Sequence, residues 1–128
     1  MPKESPLVLL VDDEPDVLAV YKTKLERNGL KVITAANGEE AVITAQKEKP
    51  DLILMDMKMP VMDGITAQQK IKNNPDTKDL KVVFLTAFSD PMRIETDMAL
   101  AKEAGALDFI KKGINLDEFA EKVKGYLK

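Results

Sequence analysis

Short runs of apolar and β-branched residues alternate along the chain with longer amphipathic segments. Five such runs have the length and composition of strands; they cover residues 7–11, 31–35, 52–55, 82–85 and 107–110. In the segments between them, the apolar residues recur at helical spacing. The pattern therefore predicts five successive units, each made of one strand followed by one helix.

Capping signals bound the predicted helices. These helices begin at Pro15, after Asn37-Gly38, at Met62-Asp63-Gly64, at Asp90-Pro91 and near Asp117. The first ends at Asn28-Gly29, since glycine is the usual residue just beyond a helix C-terminus. The last is expected over residues 117–127, and its predicted apolar stripe is Leu116, Phe119, Val123 and Leu127.

Alternating strand–helix units are typical of a parallel sheet with helices on both faces and right-handed crossovers. We therefore predict an α/β fold: a doubly wound, five-stranded parallel sheet in the order 2-1-3-4-5, forming a flavodoxin-like three-layer sandwich. No linker, repeat or low-complexity segment interrupts the pattern, so residues 1–128 are expected to form a single domain.

The composition narrows the chemistry. The net charge is −3 and no basic stripe is visible, which argues against direct nucleic acid binding. No apolar run is long enough for a membrane span, the polar start is unlike a secretory signal, and there is no cysteine, so we expect a cytoplasmic protein without membrane contact. The chain also has no histidine, so any phosphohistidine must come from a partner.

Polar residues stand where four of the predicted strands end. Asp12 and Asp13 follow the first run, Asp56 the third and Thr86 the fourth, and Lys112 comes shortly after the fifth. These four strands are neighbours in the predicted order, and ligands of such sheets bind beyond the carboxyl ends of the strands. Three clustered carboxylates require a cation, and oxygen ligands suit Mg²⁺, with Mn²⁺ as an alternative. The pattern predicts a metal-assisted phosphoryl site with a carboxylate nucleophile.

Four motifs make the resemblance to a known family specific. They are Val11-Asp12-Asp13-Glu14, the run Met-Asp-Met-Lys-Met-Pro-Val-Met-Asp-Gly at 55–64, Leu85-Thr86-Ala87, and the stretch at 105–112 that ends in Lys111-Lys112. Over nearly its whole length the chain resembles the response-regulator receiver domains of two-component signalling. The resemblance implies a phosphorylatable switch rather than a conventional enzyme, one that catalyses its own aspartyl phosphorylation and dephosphorylation.

The resemblance also implies partners. The phosphoryl group would come from a phosphohistidine on a sensor histidine kinase or a histidine phosphotransfer protein. Phosphorylation would change the surface around helix 4, strand 5 and helix 5 and so control a downstream protein or output domain, whose identity the sequence does not give. A monomer or weak dimer is expected.

Carried over position by position, the resemblance implies roles for individual residues. Asp56 would be the phosphoacceptor; Asp13, Asp56 and the Lys58 carbonyl would hold Mg²⁺, and Asp12 would act on the ion through a water molecule. Thr86 and Lys112 would contact the phosphoryl group, and Thr86 and Phe109 would form the switch. Lys58 and Phe88 would tune dephosphorylation, and the bulk of Phe88 predicts slow hydrolysis.

Two features depart from the family pattern. Gly113 follows the second lysine where the family usually has a proline joined by a cis peptide, so we predict a trans Lys112–Gly113 bond. Side chains alternate along a strand, so Lys111 and Lys112 cannot both face the site. The resemblance implies Lys112, because the family's lysine is the third residue after the aromatic, here Phe109.

Three other functions remain open from the residues. A flavodoxin-like cofactor binder would need glycines and hydroxyls after the first strand, where this chain has Asp12 and Asp13. A phosphorylation-independent interaction module on the same fold would not need the Asp, Thr and Lys set. A phosphatase would need a second acid or base near Asp56.

Overall fold

The computed structural model describes residues 5–87 and 91–128, with backbone only at 91–94. Strands and helices alternate as β1 (Leu7–Val11), α1 (Pro15–Arg27), β2 (Lys31–Ala35), α2 (Gly38–Glu48), β3 (Leu52–Asp56), α3 (Gly64–Asn73), β4 (Val82–Thr86), α4 (Pro91–Glu103), β5 (Asp108–Lys111) and α5 (Leu116–Tyr126). Within the described ranges, no helix combines the length and apolarity that a membrane crossing requires.

The five strands form one parallel sheet in the order β2-β1-β3-β4-β5, as predicted. Strand β3 is central, with β1 and β4 on either side of it, and the register pairs Val11 with Met55, Asp56 with Leu85 and Thr86 with Lys111. The carboxyl ends of β1, β3, β4 and β5 therefore lie side by side along one edge of the sheet.

Successive strand residues point to opposite faces, so each face has its own core. On one face the alternate residues Leu9, Val11, Ile53, Met55 and Phe84 pack with the buried side of α2, α3 and α4. On the other, the strands contribute Val8, Leu10, Leu52, Leu54, Val83 and Leu85, which pack with α1 and α5 through Tyr21, Leu25, Phe119 and Val123. The result is the predicted three-layer sandwich.

Side-chain caps fix where the helices begin near the site. Asn37 accepts the Glu40 N–H at 2.9 Å and starts α2, and Asp63 accepts the Thr66 N–H at 2.8 Å and starts α3. The predicted cap of α4, Asp90, lies outside the described residues.

Two predictions at the C-terminal end were wrong. β5 runs one residue later than predicted, and the side chain of Leu107 is 51% exposed. Helix α5 begins at Leu116 because Asn115 caps it by accepting the N–H of Asp117 at 2.8 Å. Leu116 is thus in the first turn and 38% exposed, so it is not part of the buried stripe that Phe119 and Val123 form.

Candidate functional site

The predicted site residues meet at the carboxyl edge of the sheet. Asp12 directly follows β1, Asp56 is the last residue of β3, and Thr86 is the last residue of β4. All three are buried, whereas Asp13 is exposed. Lys112 follows β5, and its backbone N–H donates to the Thr86 carbonyl at 2.7 Å, which fixes the end of β5 against β4.

Three carboxylates form an acidic cluster at this edge. One oxygen of each of Asp12, Asp13 and Asp56 lies within 4.8 Å of the others. An all-oxygen donor set with this charge suits a hard divalent cation such as Mg²⁺ and does not suit a soft metal. The residues present therefore fit the metal that the sequence predicted.

The ammonium of Lys112 neutralises part of this cluster. Its Nζ lies 2.9 Å from Asp56 Oδ2 and 2.7 Å from Asp12 Oδ2, and 4.0 Å from a Glu14 oxygen. Of the two adjacent lysines, Lys112 is thus the one that reaches the site, while Lys111 is exposed. The contact with Glu14 was not predicted, although Glu14 belongs to the acidic motif after β1.

Burial and the neighbouring charges shift the pKa of Asp56, and that of Lys112, in opposite directions. Burial raises the pKa of the Asp56 carboxyl above its usual range, and the hydrogen bond from Lys112 offsets part of that rise. For Lys112, burial alone would lower the pKa, but contacts with Asp12 and Asp56 raise it well above the ordinary value. Lys112 is therefore a full cation at neutral pH.

The Thr86 hydroxyl is buried, and its Oγ1 has no hydrogen-bond partner among the described residues. A buried hydroxyl without a partner is uncommon, because losing its hydrogen bonds to water costs free energy. At the end of β4, next to Asp56 and Lys112, this hydroxyl is available to donate to an anion.

The loop between β3 and α3 shapes the other side of the site. The backbone N–H of Lys58 donates to Asp56 Oδ1 at 3.2 Å, while its ammonium lies 3.1 Å from Asp97 Oδ2 on α4. Asp97 was not predicted; it belongs to a different helix, and no local pattern in the sequence links it to Lys58. At its far end this loop is tied to α2, where the Gly38 N–H donates to the Met62 carbonyl at 3.1 Å.

The predicted switch and tuning residues lie around this centre. Phe109 is partly buried, and its ring stacks on that of Phe84 with centroids 6.3 Å apart and an interplanar angle of 22°. The Lys58 side chain is 57% exposed and turns to Asp97. Phe88, the other residue predicted to tune dephosphorylation, lies outside the described residues.

The turn after β5 explains the glycine in place of proline. No peptide bond in the described residues is cis, so the predicted trans Lys112–Gly113 bond is confirmed. Gly113 has a φ of 88°, in the left-handed region that glycine favours and that proline, fixed near −65°, cannot adopt. A proline at position 113 could not form this turn, and Lys112 still contacts the carboxylates.

Two proteins of Bacillus subtilis are similar in sequence to this chain over most of its length. It is 34% identical to sporulation initiation phosphotransferase F of Bacillus subtilis, over 94% of this chain and 92% of that protein. It is 36% identical to the alkaline phosphatase synthesis transcriptional regulatory protein PhoP of the same organism, over 94% of this chain and 48% of PhoP. The chain thus spans about half the length of PhoP and nearly all of the sporulation protein.

A solved structure gives the same arrangement. The receiver domain of sensor histidine kinase PA1611 from Pseudomonas aeruginosa, with a magnesium ion coordinated in its active site cleft, superposes with a TM-score of 0.85 at 28% identity; the match covers 96% of this chain and 98% of that one. The family model of the response regulator receiver domain matches residues 8–124. The chain therefore belongs to the response regulator receiver domains, the signalling modules of two-component systems.

Proposed function

We propose that residues 1–128 form one receiver domain that takes a phosphoryl group from a partner phosphohistidine onto Asp56 and passes the signal on through its surface. The observation that carries this proposal is that the Lys112 ammonium contacts two carboxylates, Asp12 and Asp56, at the same edge of the sheet as the buried Thr86 hydroxyl, which has no hydrogen-bond partner among the described residues. Together these groups offer a nucleophile, a cation and a hydrogen-bond donor for a phosphoryl group.

Asp56 is the nucleophile in this proposal. One of its oxygens forms a bond to phosphorus while the N–P bond of the partner's phosphohistidine breaks, and the electron pair stays on the imidazole nitrogen, which takes up a proton. The Lys58 N–H, donating to Asp56 Oδ1, orients the carboxylate for this attack. Residues 1–128 contain no histidine, so the phosphohistidine of the proposed donor lies outside this domain, on a sensor kinase or a phosphotransfer protein.

Asp13, Asp56 and the Lys58 carbonyl would hold Mg²⁺, with Asp12 acting through a water molecule, and Mn²⁺ would serve as a substitute. The clustering of the three carboxylate oxygens within 4.8 Å supports this assignment. When bound, the ion neutralises charge on the phosphoryl oxygens. Lys112 and the Thr86 hydroxyl hold the same oxygens from the side of β4 and β5.

Phosphorylation would be read out through β4 and its neighbours. A phosphoryl group that accepts a hydrogen bond from Thr86 draws the end of β4 toward Asp56. Phe109 packs against Phe84 of β4, so a shift of β4 changes the space available to the Phe109 ring. This links Asp56 to the surface of α4, β5 and α5, on which we propose that a downstream protein or output domain docks.

We further propose that the phosphorylated state is long-lived and that the domain acts in the cytoplasm as a monomer or weak dimer. The bulk of Phe88, two residues after Thr86, supports the first statement because an apolar ring there hinders an attacking water. Decay of the phosphorylated protein after donor removal tests it: the wild type should decay over minutes or longer, and Phe88→Glu should decay faster.

Intact-mass measurement after treatment with acetyl phosphate and Mg²⁺ tests the proposed function. We expect one phosphoryl adduct in the wild type, none in Asp56→Asn, and an unchanged adduct in the matched control Asp16→Asn, which alters an exposed aspartate on α1. An adduct that persists in Asp56→Asn would refute the assignment. Complete absence of an adduct in the wild type would favour a phosphorylation-independent interaction module.

A further inference from the structure

The Lys58 side chain connects the proposed phosphoryl site to helix α4. Lys58 lies in the β3–α3 loop, two residues after Asp56, and its ammonium lies 3.1 Å from Asp97 Oδ2. The two side chains differ in their surroundings, since Lys58 is 57% exposed while Asp97 is only 17% exposed. A carboxylate that is largely buried needs a partner, and among the described residues Lys58 is the cation that supplies it.

Lys58 is also close in the chain to the atom that would carry the phosphoryl group. Its backbone N–H donates to Asp56 Oδ1, so the residue is anchored beside the acceptor whichever way its side chain points. A lysine ammonium sits on a flexible four-carbon stem and can be reoriented at little cost. Two anionic partners thus compete for one ammonium: the Asp97 carboxylate, and a phosphoryl group on Asp56.

Once Asp56 carries a phosphoryl group, its charge favours transfer of the Lys58 ammonium from Asp97 to the phosphoryl oxygens. A phosphoryl group brings more negative charge than one carboxylate and several strong acceptor oxygens. Lys112 already shares its ammonium between Asp12 and Asp56, so Lys58 would supply a second ammonium for the phosphoryl oxygens in addition to that of Lys112.

We propose that Asp97 is a positioning residue for the phosphoryl site: it holds the Lys58 ammonium on α4 while Asp56 is free and yields it to the phosphoryl oxygens when Asp56 carries the group. The inference rests on the proposed phosphorylation of Asp56. It has a consequence for α4, because loss of Lys58 leaves a largely buried carboxylate unpaired on that helix. Occupancy of the site and the packing of α4 are thereby coupled, and by linkage each affects the other.

The test measures affinity for beryllofluoride, a phosphoryl mimic, by calorimetry with saturating Mg²⁺. Asp97→Asn removes the competing charge and should bind beryllofluoride about threefold tighter or more than the wild type. Lys58→Met should bind it more weakly. The double variant should match Lys58→Met, because Asp97 acts through Lys58 alone. Glu103→Gln is the matched control, since it removes the same charge from the exposed C-terminal end of α4 and should leave the affinity unchanged.

The proposal fails if Asp97→Asn leaves the affinity unchanged, or if it tightens binding equally with and without Lys58. The latter result would mean that the charge of Asp97 acts on the site directly. If the wild type binds no beryllofluoride, the proposed function fails instead, so the two failures are distinguishable.

A measurement on the unaltered chain keeps the test independent of variant folding. With ¹³C-labelled aspartate, the Asp97 carboxyl resonance should move when beryllofluoride and Mg²⁺ are added, because its ion pair is broken. A resonance that stays in place while the ligand binds would overturn the proposal.

Discussion

The ammonium of Lys112 donates a hydrogen bond to Oδ2 of Asp56 at a distance of 2.9 Å. The carboxylate that we propose as nucleophile and metal ligand is therefore already paired with a positively charged side chain. The same ammonium is 2.7 Å from Asp12 Oδ2. A divalent cation held by these carboxylates is repelled by Lys112, whereas an incoming phosphoryl group is attracted by it. The residue therefore opposes one ligand of the site and favours the other.

Replacement of Lys112 by methionine should tighten Mg²⁺ binding. Removing a full positive charge at this distance should strengthen binding by about tenfold or more, roughly 1.4 kcal/mol. Calorimetric titration of Mg²⁺ into Lys112→Met measures the effect, and Lys111→Met is the control for the charge of the neighbouring exposed lysine. Unchanged or weaker binding in Lys112→Met would show that the two cations do not compete.

The stability of the metal-free protein should depend on the protonation of Asp56. Burial raises the Asp56 pKa in the folded protein above the ordinary value of 3.8, so between these two pKa values the folded state binds more protons than the unfolded state. The free energy of unfolding therefore falls as pH rises through that window, and the loss persists above it. Lys112, whose pKa is raised, stays charged throughout the window and contributes a constant amount.

Asp56→Asn cannot titrate, so its advantage in stability over the wild type should widen as pH rises from about 3.8 and then level off. Urea denaturation of both proteins at a series of pH values without Mg²⁺ measures the difference. A difference that is constant across the carboxyl range would contradict the expected shift.

Two glycines allow a controlled test of the turn after β5. A Cβ added at Gly113 or at Gly125 meets no atom within 4 Å, but Gly113 has a φ of 88° whereas Gly125 lies within α5. Gly113→Ala should cost about 1 kcal/mol because L-residues are strained in the left-handed region. Gly125→Ala should instead stabilise by about 0.5–1 kcal/mol through helix propensity. Urea denaturation measures both, and equal effects at the two positions would refute the conformational explanation.

Val61 has an unusual backbone for a β-branched residue. Its φ is 71° in the β3–α3 loop, and it is 74% exposed, so the loop gains little from its side chain. Val61→Gly should stabilise the protein by roughly 0.5–1 kcal/mol, because relief of about 1–2 kcal/mol of strain exceeds the entropic cost of glycine. Val61→Ala keeps a Cβ and should recover less. Thermal unfolding of the wild type and the two variants measures these differences. If Val61→Gly is no more stable than the wild type, the backbone at Val61 is not strained.

The sequence was sufficient to predict the positions of the residues that follow the central strands. β3 is a continuous apolar run that ends at Asp56, and β4 is one that ends at Thr86, so the sheet order alone brings their ends together. Alternation of side chains showed that only one of Lys111 and Lys112 could face the site, and the family resemblance indicated Lys112. These features depend on local patterns with short periods, which a sequence displays directly.

Contacts between separate elements were not predictable in the same way. Nothing near Lys58 in the sequence indicates that Asp97 will be its partner, because the pair depends on how α4 packs beside the β3–α3 loop. The left-handed φ of Val61 was also not predictable from the sequence, because β-branched residues rarely adopt that conformation. The start of α5 at Leu116 arose from a cap at Asn115 rather than from the apolar pattern.

Gly64 lets α3 pack so closely against the end of β3 that the Asp56 backbone cannot move toward this helix. A Cβ at this position would lie 2.3 Å from the Asp56 carbonyl oxygen and 2.8 Å from the Phe84 ring, so the first turn of α3 is pressed directly onto the end of β3. The backbone of Asp56 therefore has no room to move toward α3 when a group is added to its carboxylate. If Asp56 takes a phosphoryl group as we propose, the displacement would be taken up across the site, at the end of β4 where Thr86 lies. On that proposal, the lack of a Cβ at Gly64 would set the direction in which the site responds to phosphorylation.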